Sequence, residues 1–138
     1  MNVSLALLAD YANSSADGKL NILGIFDTIT APSYPAVHPE MKLVVRFQMH
    51  PAESGQTKKV QIQLRTDQGR KLLELGGDMT IETRDDVASA GQMVSADQIL
   101  SLNGLTLEAP GSYEFVILVN GDVKATVPFL AKLLPSTV

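Results

Sequence analysis

The sequence predicts an all-β protein: an antiparallel β-sandwich of about eight strands, formed by a single domain over residues 1–138. Apolar and polar residues alternate along several segments, turn signals separate these segments, and no segment has a helical pattern of useful length. The chain is long enough to form one core, and its 45% hydrophobic and 19% charged residues favour a folded, soluble protein.

The first two strands are predicted in the N-terminal third of the chain. Residues 3–9 form the first, and residues 19–30 form a long β-rich segment. In this second segment the apolar phase slips between Ile22 and Leu23, next to Gly24. A bulge or a bend produces such a slip, so we predict one strand with a kink.

The central strands show the alternation of a sheet with one solvent-facing side. Residues 41–49 and 60–64 place apolar side chains at alternate positions, with mostly polar residues between them. Residues 71–82 form a further strand, which Gly76 and Gly77 weaken. Adjacent glycines in a strand predict a twist or a bulge.

The last strands include one ambiguous segment and one clear hairpin. In residues 93–107, a capping box at Ser95 and Gln98 would start a short helix, but apolar alternation favours a strand, and we predict the strand. Residues 113–119 and 123–127 flank Asn120-Gly121. A tight hairpin turn needs positive φ at both central residues, which Asn and Gly accept readily.

A tyrosine near the start of the hairpin sharpens the predicted architecture. Tyr113 lies two residues before the core position Phe115, as in the corner of immunoglobulin-like sandwiches, where the hydroxyl bonds to the preceding backbone. Phe115 takes the place of the cysteine of antibody domains, and the chain has no cysteine and no tryptophan. We therefore expect an immunoglobulin-like architecture without the antibody disulfide.

Composition argues against several classes of function. The net charge of −4 disfavours a general nucleic-acid binder, because phosphate contacts need a basic surface. Without cysteine there is no disulfide, thiolate metal site or cysteine nucleophile. No segment is apolar for long enough to span a membrane, and no basic residue precedes the apolar N-terminal stretch as it would in a signal peptide. We expect a cytoplasmic protein that binds neither nucleic acid nor membrane.

Motifs for enzymatic chemistry are missing from the sequence. No serine lies in a Gly-x-Ser-x-Gly elbow, and no glycine-rich loop joins a strand to a helix to hold a phosphate. His38 and His50 lie beyond opposite ends of the predicted strand 41–49, too far apart to share a metal, and we interpret them as loop histidines. We predict no enzyme, and no catalytic residue, cofactor or metal site.

A proline-rich loop over residues 31–39 is the first candidate for partner binding. It contains three prolines, and it presents Tyr34, Pro35 and His38 between two predicted strands. A rigid loop loses little entropy on binding, and aromatic residues are frequent hot spots. The alternative is a simple crossover in which the prolines prevent edge pairing.

The middle of the chain is basic and is the second candidate. Residues 42–71 contain seven basic and two acidic residues, including the adjacent Lys58 and Lys59. If the strands of this segment are neighbours, they form a basic face that can stack on an acidic face of another copy or bind an acidic partner. The alternative is a set of ordinary solvated strand faces whose charges protect sheet edges.

An acidic segment supports a different hypothesis. Glu82, Asp85 and Asp86 cluster in a predicted loop, and oxygen-rich loops at the end of a sandwich can bind Ca²⁺. The spacing does not match an EF-hand, and a solvated acidic loop is the simpler interpretation. A small-ligand or Ca²⁺-binding module that uses end loops with Asp85, Asp86 and His38 is therefore the alternative function.

Several segments of the chain resemble a family of small bacterial proteins of unknown function. The resemblance is carried by SLALLADYAN at 4–13, GKLNILGIFD at 18–27, APSYPAVHP at 31–39, NGL at 103–105, PGSY at 110–113 and VNG at 119–121. It implies a compact, stand-alone bacterial protein and supplies no activity, cofactor or catalytic residue. The leading hypothesis is thus a non-enzymatic β-sandwich that acts through protein–protein interaction or self-association.

Overall fold

The computed structural model describes residues 1–83 and 91–135, which form nine β-strands and one short 3-10 helix at Pro51–Glu53. The strands are β1 (Asn2–Ser14), β2 (Leu20–Phe26), β3 (Thr28–Ala31), β4 (Ala36–Met49), β5 (Thr57–Thr66), β6 (Lys71–Thr80), β7 (Val94–Leu107), β8 (Gly111–Val119) and β9 (Asp122–Leu133). The all-β prediction is confirmed. Within the described part of the chain, no helix is long and apolar enough to cross a membrane.

The strands are arranged in two sheets. One sheet has four strands in the order β2-β1-β4-β7, and the other has five in the order β3-β9-β8-β5-β6 and is curled into a half-barrel. All pairs are antiparallel except β3 and β9, which are parallel. The prediction of a purely antiparallel structure is therefore wrong at this one pair.

The segment predicted as one kinked strand is two strands in different sheets. Asp27 alone separates β2 from β3, and its carbonyl accepts a hydrogen bond from the Leu130 amide at 2.8 Å. The predicted bend is present at Gly24, which has a φ of +74°, but β2 keeps its register with β1 on both sides of this glycine. The chain changes sheets three residues after Gly24.

One hydrophobic core lies between the two sheets. Phe47 of β4 and Phe115 of β8 are almost fully buried, and Phe115 stacks on Phe129 of β9 with ring centroids 5.6 Å apart. The core positions on β4, β5, β8 and β9 alternate along each strand, as the sequence pattern predicted. Burial of these side chains is the main stabilising contribution to the fold.

Strand pairing decides two predictions for the C-terminal half of the chain. Residues 94–107 form β7, which pairs with β4 from Met49↔Val94 to Ala36↔Leu107, so the strand interpretation is confirmed and the helix is excluded. The hairpin is also confirmed, with Asn120 and Gly121 at φ values of 51° and 83° between β8 and β9.

The proline-rich loop is shorter than predicted. β4 begins at Ala36, so His38 and Pro39 lie in a strand, and His38 pairs with Leu105. Pro39 cannot donate a backbone hydrogen bond, and it is missing from the register of β4 with β7, while β1 pairs only with the part of β4 from Lys42 onward. The loop between β3 and β4 is therefore limited to residues 32–35.

The predicted tyrosine corner is present. The Tyr113 hydroxyl donates a hydrogen bond to the carbonyl oxygen of Ala109 at 2.6 Å. The Tyr113 ring stacks on Phe129 with centroids 5.5 Å apart and an interplanar angle of 15°. This bond fixes the loop that enters β8 against the core.

Candidate functional site

Tyr34 and Pro35, two of the predicted partner-binding residues, differ in their availability. Tyr34 is half-buried against the core, and its hydroxyl donates to the carbonyl oxygen of Lys132 at 2.7 Å. Burial raises the pKa of this hydroxyl above its ordinary value, with a smaller contribution from Tyr113. The tyrosine thus ties the loop to β9, whereas Pro35 is exposed.

The two histidines occupy structural positions at different ends of β4. The His38 ring lies 5.8 Å from the Phe26 ring, and its Nε2 atom is buried without a hydrogen-bond partner among the described residues. The His50 Nδ1 atom accepts from the Ala52 amide at 3.0 Å and caps the 3-10 helix. The interpretation of His38 as a loop residue is wrong, because β4 starts before it.

A metal site is not formed by the described acidic residues. Across residues 1–83 and 91–135, no group of three His, Asp or Glu side chains is arranged to hold a metal ion. Asp85 and Asp86, on which the Ca²⁺ hypothesis depends, lie outside the described residues. His38, the third residue of that hypothesis, is in β4 and packs on Phe26.

The basic segment does not form one face. β4 and β5 belong to different sheets, because the chain crosses between them through the 3-10 helix, so Lys42 and Arg46 are separated from Lys58 and Lys59. Ion pairs neutralise much of the charge: Lys42–Glu40 at 3.1 Å, Arg46–Asp97 at 2.7 Å, Lys58–Glu53 at 3.1 Å, and Lys71–Glu74. Lys59 is exposed and lies opposite Asp78 of β6. The predicted basic face is therefore wrong.

Glu53 is the centre of the most tightly connected polar cluster. Its Oε1 atom lies 2.7 Å from the Met1 amine and 3.1 Å from the Lys58 Nζ atom, and its Oε2 atom accepts from the His50 amide at 3.0 Å. The Met1 amine, followed by Lys58, lowers the pKa of the Glu53 carboxyl from 4.5 to about 2. This cluster joins β1, the 3-10 helix and β5, and it has a structural role.

An exposed apolar surface lies on β2, where the sequence predicted no candidate site. Leu23 and Ile25 are 69% and 65% exposed, and Tyr11, the β1 partner of Leu23, is 51% exposed. β2 is an edge strand of its sheet. The sequence signal was the phase slip next to Gly24, which indicates that apolar residues are present on both sides of the strand. We name Tyr11, Leu23 and Ile25 the β2 surface.

A pocket of about 470 Å³ opens on the opposite flank, between β6 and β7. These are the edge strands of the two sheets, so the pocket lies where one sheet ends above the other. Its described lining consists of Phe47, Val60, Ile62, Leu75, Gly76, Gly77, Asp78, Met79, Thr80, Gln98, Ile99 and Leu100. From the sequence, the two glycines predicted only a twist or a bulge.

Comparison with known proteins identifies a family and a fold. A family of unknown function, DUF6941, matches residues 4–132, which confirms the resemblance to a family of unknown function. No curated protein matches the chain. Among solved structures, the chain is similar to the Pseudomonas fluorescens alkylpurine DNA glycosylase AlkC bound to DNA containing an abasic site analog, at 12% identity and a TM-score of 0.51. The match covers 95% of this chain and 30% of the glycosylase, and it supports the fold alone.

Proposed function

We propose that the chain, which belongs to the DUF6941 family of unknown function, is a non-enzymatic cytoplasmic protein that acts through protein–protein contact at its β2 surface. The observation that carries the proposal is the exposure of Leu23 and Ile25 on an edge strand. Large apolar side chains grouped at one place on a soluble protein commonly mark an interaction site.

The composition of the edge strands supports this choice. Sheet edges carry unpaired backbone groups, and proteins commonly protect them with charged side chains. β6 contains Lys71, Glu74 and Asp78, and β7 contains Asp97, whereas β2 contains no charged residue. β2 is therefore the longest edge strand without charge protection, and its backbone and apolar side chains are both available to a partner.

The contact we propose is the addition of a protein strand or an apolar patch to this edge. Strand addition supplies backbone hydrogen bonds, and pockets for alternate side chains supply selectivity. The positive φ of Gly24 bends the edge, so a partner must match this bend. The partner is another protein or a second copy of the chain. DNA is not the proposed partner, since the net charge is −4 and several basic side chains are already paired.

The architecture we propose for this contact module is an immunoglobulin-like sandwich. β8 begins with the tyrosine corner and lies between β9 and β5, as the F strand of immunoglobulin domains lies between strands G and C. The addition of β2 outside β1 distinguishes the four-stranded sheet from that arrangement. Sandwich domains of this kind often function as binding modules on which loops and edges determine the partner.

Substitution of Leu23 by lysine tests the proposal. Leu23→Lys places a charge on the edge and should abolish both concentration-dependent association in light scattering and retention of a specific partner from the native host. Val123→Lys is the matched control, because Val123 is 56% exposed in another part of the molecule and should tolerate the change. The proposal is refuted if the wild-type chain stays monomeric at high concentration and captures the same proteins as Leu23→Lys.

A further inference from the structure

The pocket between β6 and β7 exists because one inward position of β6 has no side chain. Directly opposed residues of neighbouring strands project to the same face of a sheet. Gly77 lies opposite Val60, a core residue, and the next core-facing positions on either side are Leu75 and Met79. A side chain at position 77 would therefore point toward the pocket.

Neither sterics nor backbone conformation requires a glycine at position 77. A Cβ atom built there has no heavy atom within 4 Å, and the backbone is not in the left-handed region. At Gly76, by contrast, a Cβ atom would lie 3.2 Å from the carbonyl oxygen of Val60. Glycine weakens a strand interior and often marks a place where a ligand approaches closely. Gly77 thus keeps open a space that a larger residue could fill.

The pocket has the size and the surface of a small-molecule site. Its volume of about 470 Å³ lies within the range of about 300 to 1,000 Å³ that ligand pockets occupy. Phe47 and Val60 form an apolar base that belongs to the core, and Leu100 contributes to the β7 wall. Because β6 and β7 are both edge strands, no other strand of the described chain closes the mouth. From this geometry we propose that the pocket binds a small, uncharged, mainly apolar organic molecule.

The described lining of the pocket offers no partner to an ionised ligand. Asp78 is the charged residue among the described lining residues, but it alternates with the core-facing Gly77 and Met79 and lies opposite the exposed Lys59, so its side chain projects to the outer face of the sheet. The described lining contains no lysine or arginine. A carboxylate or sulfonate ligand would find no counter-ion among the described lining residues, and it would lose its hydration without compensation. The side-chain amide of Gln98 can donate hydrogen bonds to a polar group of the ligand and accept them from it. The ligand class is therefore neutral rather than a fatty-acid anion.

Fluorescence titration with a neutral and an anionic probe tests this inference. N-phenyl-1-naphthylamine should bind the wild-type chain saturably at one site, and anilinonaphthalene sulfonate should bind more weakly. Substitution of Gly77 by alanine, valine or leucine should lower the affinity for the neutral probe, and the larger the side chain, the larger the loss. For Gly77→Leu the affinity should fall by at least about tenfold. The melting temperature of Gly77→Leu should stay the same or rise, because the new side chain fills the pocket.

Controls separate pocket binding from binding to any exposed apolar residue. Thr126→Leu adds the same side chain at an exposed position of β9 and should leave the affinity for the neutral probe unchanged. If Gly77→Leu does not fold, the order wild type, Gly77→Ala, Gly77→Val decides the question. The inference is wrong if the wild-type chain gives no saturable signal, if all variants bind equally, or if the anionic probe binds more tightly. Leu23→Lys should keep probe binding, so this result is independent of the proposed protein contact.

Discussion

Replacing Glu53 by glutamine should destabilise the folded chain by about 2 kcal/mol at neutral pH. The Glu53 carboxyl forms ion pairs with the Met1 amine and Lys58 and accepts a hydrogen bond from the His50 amide. Together these groups lower its pKa from 4.5 to about 2. A shift of this size corresponds to about 3 kcal/mol of folding free energy. The side chain is 24% exposed, and glutamine keeps some of the hydrogen bonds, so we expect the smaller value.

The pH dependence of this loss follows from the direction of the shift. The folded-state pKa of Glu53 is depressed, so its contribution is complete above the unfolded pKa of 4.5 and is lost as the pH falls toward 2. The difference in stability between wild type and Glu53→Gln should therefore narrow between about pH 5 and pH 2. At pH 3 it should be less than half of its value at pH 7.

Urea unfolding at pH 7, pH 4 and pH 3 measures both effects. The chain must carry a free Met1 amine, because an N-terminal tag would move this charge away from Glu53. Glu108→Gln is the control, since Glu108 is exposed and has no ion pair among the described residues. Equal stability of wild type and Glu53→Gln at pH 7, or a difference that stays constant with pH, would refute the reasoning.

Two further substitutions test features of the fold. Gly24→Ala should lower the free energy of unfolding, measured by thermal unfolding, by about 1 to 3 kcal/mol, because φ is +74° and the new Cβ atom would lie 2.5 Å from the Asp10 Oδ2 atom. Gly77→Ala is its control, and an equal loss of stability in the two variants would contradict the explanation. Tyr113→Phe should cost about 1 kcal/mol in urea unfolding through loss of the hydrogen bond to Ala109, and no loss would show that the tyrosine corner contributes nothing to stability.

Local patterns predicted most strands because burial on one face leaves a period of two in the sequence. The hairpin was predicted because Asn120 and Gly121 accept the left-handed backbone that its turn requires. The junction at Asp27 was not predicted, since nothing in residues 19–30 indicates a change of sheet. The parallel pair of β3 and β9 depends on contacts such as Thr28↔Leu130, which lie about a hundred residues apart.

The candidate sites were harder to predict than the strands. Tyr34 and His38 were predicted as binding residues because of their side-chain chemistry. In the structure, Tyr34 donates a hydrogen bond to β9 and His38 packs on Phe26. The β2 surface left a signal in the sequence, the phase slip, which also fits a bend. The pocket depends on a missing side chain at Gly77 and on the placement of two edges from different sheets, so no local pattern could indicate it.

The single residue between β2 and β3 has a mechanical consequence. Asp27 links the two layers covalently, and the Leu130 amide bonds to its carbonyl oxygen, so the distance between the layers is fixed along that flank. On the flank of β6 and β7 the two edge strands are not adjacent in the chain, since residues 81–93 lie between them. The short link thus keeps β2 and β3 in register with one another on one flank, and the pocket lies on the flank that has no such link.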